Sequence, residues 1–176
     1  MKRHRTRILV GTAALATIGA LVLVAGLIIV PALATPQVGV TPTQVAMGSF
    51  GEIDVKTNNF PPHKVRLKTK GDSDVYVIRN SFAAGGSSGW HTHPGPSLIT
   101  VTTGEITAYE GDDPTCTPTV YHAGESFTDI GCGDIHLVRN EGTVPAMDVA
   151  VQIVPAGALR RLDADQPANC PVITCP

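Results

Sequence analysis

The stretch GWHTHPGPSLITVTTG, residues 89–104, places His91 and His93 one residue apart. On an extended backbone, side chains two positions apart project from the same side of a strand, so both imidazoles would face one point. That geometry can grip a single metal ion. A third histidine, His136, lies in a separate strand-like segment, IHLVRN, and shares a face there with Val138 and Asn140. Four residues after His93, where an acidic ligand might complete the set, the chain has Ser97, on the same strand face as Ile99 and Val101. Apolar companions place these polar groups in an interior pocket, where a lone cation would be costly but a neutral imidazole can bind metal.

Three neutral imidazoles leave the charge of a divalent ion undiminished, whereas a carboxylate would cancel one unit of it. The ion would then be the stronger Lewis acid, with coordination positions open as in a catalytic site. Imidazole suits zinc, copper, nickel or iron, with manganese the least natural choice. Ser97 is a poor ligand unless ionised and is expected to hydrogen-bond an oxygen at the metal or on a substrate. Trp90 is a candidate for the pocket mouth, and Asn140 for a polar group on the strand or behind the ligands. The structural alternative is that His91, His93 and His136 are packing residues satisfied by backbone carbonyls, with no metal. His4, His63 and His122 read as surface residues. Glu105 points outward by parity, and Asp112, Asp113, Asp129 and Asp134 read as solvated turn carboxylates. No general base stands out.

Strands must position these residues. Charged residues make up 16% of the 176-residue chain and aromatics 5%, with 18 Gly and 14 Pro, a balance that favours strands and turns and suits one domain. KVRLKTK alternates with a period of two, and DVYVIRN, WHTH, SLITVTT, EITAYE, PTVYH, ESFTD, IHLVRN and MDVAVQIVP follow between turn signals. About nine short strands in roughly 90 residues, with no sustained helical period, predict an all-β sandwich or barrel over 63–156. Residues 35–62 read as an extended arm leading into it, and 157–176 as a surface tail.

MKRHRTR is followed by an uncharged run of about 23 residues, so 1–34 reads as a signal peptide or a retained membrane anchor, with the rest of the chain exported. Both alternatives stay open. Removing 1–34 takes away four of the 13 Lys and Arg and none of the 15 acids, leaving a net charge of −6. An acidic exported domain is a poor partner for nucleic acid, and a small polar molecule is the expected one. Cys116, Cys132, Cys170 and Cys175 all lie in the exported part, where three pairings are available. The expected one is Cys116 with Cys170, tying a hairpin loop to the tail.

In order and spacing these residues resemble the two motifs of the cupin superfamily. Gly85, His91, His93 and Gly104 match the first motif, with Ser97 at the acid position; Gly133, His136 and Asn140 match the second. Gly124 begins the second motif one residue early, and Gly131 stands where a Pro is usual. The match spans roughly 64–154. The resemblance implies a small jelly-roll-like barrel of two packed antiparallel sheets, with the first histidine pair facing the third histidine inside. It also implies a tendency to pair into homodimers. Function under it divides between a module that binds metal and a small polar molecule, a metal-dependent oxygenase or isomerase, and a metal-free binding module.

Overall fold

The computed structural model describes residues 34–57 and 62–170. The basic, apolar segment that reads as signal or anchor therefore lies outside the described residues, as does Cys175. Twelve strands and no helix occur among the described residues: β1 (Val38–Phe50), β2 (Asp54–Lys56), β3 (Arg66–Lys68), β4 (Ser73–Ser87), β5 (His91–Thr92), β6 (Ser97–Thr103), β7 (Glu105–Glu110), β8 (Thr119–His122), β9 (Ser126–Asp129), β10 (His136–Arg139), β11 (Ala146–Pro155) and β12 (Leu162–Asp163).

One layer runs β1-β4-β11-β6-β9 and the other β12-β5-β10-β7-β8, with β10 also touching β4 where Arg139 pairs with Ser87. All the pairings are antiparallel, so the two layers form a nearly closed barrel. The barrel-forming alternation is plain in β6, where Ser97, Ile99 and Val101 are buried and Leu98, Thr100 and Thr102 are exposed. One end of the interior is filled by Phe82, Val101, Ile106, Val138 and Ala146. A second apolar cluster, Trp90, Tyr109, Cys116, Leu137 and Cys170, lies behind β10, because Leu137 points the opposite way from His136 and Val138.

Two boundaries differ from the sequence reading. Residues 38–50 are not a lead-in arm: β1 pairs along β4 from Phe50 opposite Ser73 to Val38 opposite Ser87 and forms a sheet edge. Val40 and Pro42 of this strand line the interior cavity, so the barrel is incomplete without it. The tail is likewise integrated. β12 pairs with β5, Leu162 opposite Thr92 and Asp163 opposite His91, and the Cys116–Cys170 disulfide ties the chain to the β7–β8 connection with Cα atoms 5.1 Å apart.

The alternation in β11 is real but inverted relative to the usual rule. Asp148, Ala150 and Gln152 face the interior, while Met147, Val149, Val151 and Ile153 are half-buried on the outer face. A barrel interior that carries polar groups is a site as well as a core.

Candidate metal centre

β5 delivers His91 and the residues just after it deliver His93, while β10 sets His136 directly opposite His91 in the pairing register. Each of the three is about 95% buried. Their ring centroids are 4.3 Å (His91–His136), 4.9 Å (His91–His93) and 5.4 Å (His93–His136) apart, and one nitrogen from each lies within 4.8 Å of the others. Thus the β5–β10 pairing brings the sequence-distant His136 to the HTH pair.

The backbone fixes how the rings present themselves. His91 Nδ1 lies 2.8 Å from the Gly89 carbonyl, His93 Nδ1 2.7 Å from that of Arg160, and His136 Nδ1 3.4 Å from that of Asp134. A carbonyl can only accept, so each Nδ1 carries the proton and each Nε2 keeps a lone pair. Carbonyl-held Nδ1–H groups of this kind orient metal-ligating histidines. Burial holds all three imidazoles below their ordinary pKa, His93 at about 4, so they are neutral near pH 7. Neutral rings with matched tautomers are the form a metal needs.

The carboxylate absent from position 97 lies across the strand pair. Asp129 is the register partner of Ser97, is 5% exposed, and accepts hydrogen bonds from Ser97 Oγ (3.1 Å) and Gly131 N (2.7 Å). Its oxygens lie 3.7 Å from His93 Nε2 and 3.8 Å from His136 Nδ1. The reading of Asp129 as a solvated turn residue is therefore corrected. It ends β9, in the ESFTD segment, and shares a face with Phe127, a parity signal that was present in the sequence. Gly131 holds the following turn at φ +71°, where a Cβ would collide with the Gly95 carbonyl.

Two other candidates are placed elsewhere. Trp90, 1% exposed, packs with Tyr109 and Leu137 against the disulfide and does not line the histidine cavity, because it alternates with His91. Asn140, also 1% exposed, lies beyond the end of β10 and ties a turn together: its amide nitrogen donates to the carbonyls of Ala83 (3.1 Å) and Val144 (2.7 Å), and its oxygen accepts from Gly142 N (3.0 Å). It has no contact with the cavity. Ser97 does line it.

The cavity, about 100 Å³, also contains residues that sequence reasoning passed over. Gln152 sits with its amide nitrogen 3.3 Å from His93 Nε2 and 3.4 Å from Ser97 Oγ. Asp148, 2% exposed, accepts from Asn80 Nδ2 at 2.7 Å, and burial pushes its carboxyl up to about 7. Arg160 and Arg161, from the tail, complete the wall.

Residues 79–151 match the family model for the cupin domain. The cupin match covers this stretch of the barrel, from within β4 to within β11. Among solved structures, the chain is similar to an oxalate oxidase (29% identity, 47% of this chain and 46% of that one, TM-score 0.40) and to a cupin domain from Bordetella pertussis (22% identity, 58% and 93%, TM-score 0.39). It is also similar to a polyketide cyclase from Streptomyces resistomycificus (16% identity, 54% and 65%, TM-score 0.43). The alignment spans less than half the length of the oxalate oxidase. No curated protein sequence matches the chain. The cupin histidines of both motifs can hold a metal ion.

Proposed function

We propose that this is an exported cupin that binds one divalent transition metal through His91, His93 and His136 and a small polar molecule in the adjoining cavity. The observation that carries the reading is the convergence of three buried, neutral imidazoles whose Nδ1 atoms all face backbone carbonyls. Carbonyl contacts alone would also suit packing histidines, but packing gives no reason for one nitrogen from each ring to lie within 4.8 Å of the others. Zinc, iron, copper, nickel and manganese are the candidate ions, and a bound ion would supply Lewis acidity toward an oxygen of the ligand. Export is supported by the Cys116–Cys170 disulfide and by the basic, apolar leader read from the sequence. Metal analysis of the full-length chain beside His91→Ala and His136→Ala tests the centre. About one equivalent in the wild type and loss in both variants is expected; negligible metal in all three would leave a metal-free binding barrel.

A second reading, turnover by an oxygenase or isomerase, gains support from Asp148. A carboxyl held near pH 7 inside the same cavity can take and return a proton. Substrate-dependent product formation that Asp148→Asn abolishes without loss of metal would favour that reading over binding alone.

A further inference from the structure

The tail segment that closes the cavity carries two adjacent arginines, and their surroundings differ. Arg161 is compensated: its Nε donates to Asp163 at 2.7 Å, and an Nη donates to the Ser88 carbonyl at 2.8 Å. Arg160 is not. It is half-buried, its Nη1 donates to the neutral Gln152 amide oxygen at 2.9 Å, and among the described residues no carboxylate lies within ion-pair distance of it. A guanidinium has five N–H donors, and withdrawing it from water without an anion is costly.

The backbone holds this charge in place. The Arg160 carbonyl accepts from His93 Nδ1, and β12 begins two residues later on β5, so the guanidinium is anchored beside the histidine cluster. Both Arg160 and the three histidines line one cavity, whose remaining wall includes the apolar side chains of Ile99, Phe127 and Val138.

We propose that Arg160 is the anion-recognition residue of this cavity and that its ligand is a small organic carboxylate, with the carboxylate at Arg160 and a short carbon skeleton against the apolar wall. The inference rests on the reading of the cavity as a ligand site. Planar, bidentate recognition is what a guanidinium offers a carboxylate. The apolar wall is the reason to prefer an organic acid to inorganic phosphate, which would leave that wall unused.

Calorimetric titration of the zinc-treated full-length chain with lactate, with its neutral isostere lactamide and with inorganic phosphate tests the assignment. The wild type is expected to bind lactate at least about tenfold more tightly than lactamide, and more tightly than phosphate. Arg160→Gln should reduce the lactate preference to within about twofold while zinc content stays that of the wild type and the melting temperature does not fall, and Arg160→Lys should restore part of the preference. Equal binding of lactate and lactamide, no binding of lactate, tighter binding of phosphate, or a preference that survives in Arg160→Gln would overturn the proposal. The same titration on His91→Ala separates the two readings. A lactate preference that persists there and vanishes with Arg160→Gln upholds the anion site even if the metal centre fails.

Discussion

Asp129→Asn isolates the charge of the buried carboxylate. Asn can keep both local contacts, its oxygen accepting from Gly131 N and its amide donating to the Ser97 hydroxyl, so geometry is preserved while one negative charge is lost. That charge lies 3.7 Å from His93 Nε2 and 3.8 Å from His136 Nδ1. Unit charges about 4 Å apart attract by roughly 4 kcal/mol at an effective dielectric near 20. A cation on the imidazoles need not come that close, and removing a buried charge also removes its desolvation cost, so about 1.4–2.7 kcal/mol is the expected loss, a 10–100-fold weaker zinc affinity. In the metal-free protein the neighbouring imidazoles are neutral, so stability should change by less than about 1 kcal/mol. Competition against a chromophoric chelator gives the affinity, and thermal unfolding with and without zinc gives the two stabilities. Equal zinc affinity in wild type and variant would refute the electrostatic role. A metal-free stability loss as large as the affinity loss would reduce Asp129 to a structural residue.

Removing the disulfide with Cys116→Ala and Cys170→Ala opens a link between residues 54 apart in sequence, which should cost about 4 kcal/mol in chemical denaturation; a loss below about 1 kcal/mol would contradict the staple. Asn140→Ala abandons three turn contacts and should cost about 2–4 kcal/mol while leaving metal content unchanged, whereas a folded variant that loses zinc would restore Asn140 to the ligand side. The Asp148 carboxyl is raised from 3.8 to about 7, so the native state holds the extra proton and stability from this group falls as pH rises through that window. Asp148→Asn should therefore gain on the wild type between pH 4 and pH 8, by at most about 4 kcal/mol in urea titrations; a difference independent of pH would show that the carboxyl is not protonated in the cavity.

Much of the barrel and the histidine set was legible because it rests on local periodicity. The period-two patterns around His91, Ser97 and His136 are properties of each strand by itself, and every one of these residues faces inward in the fold. The edge strand 38–50 escaped because Gly and Pro in TPQVGVTPTQ weaken strand propensity, while its pairing with β4 is a long-range event. Asp129 escaped for a different reason. Its neighbours Asp112, Asp113 and Asp134 made an acidic loop the natural reading, although the parity with Phe127 pointed inward. Arg160 and Arg161 lie in a segment without period, and nothing local distinguishes a solvated arginine from one folded back over a cavity.

By itself the chain determined which residues share a face within each strand: His91 with His93, Ser97 with Ile99 and Val101, and His136 with Val138. Only the tertiary structure decided which faces meet. Pairing β6 with β9 in one register brought Asp129 to Ser97, and pairing β12 with β5 brought Arg160 to His93. It also turned the polar face of β11 inward. The physical reason is that alternation is set residue by residue through backbone sterics, whereas register and layer contact are set by burial summed over strands far apart in the chain.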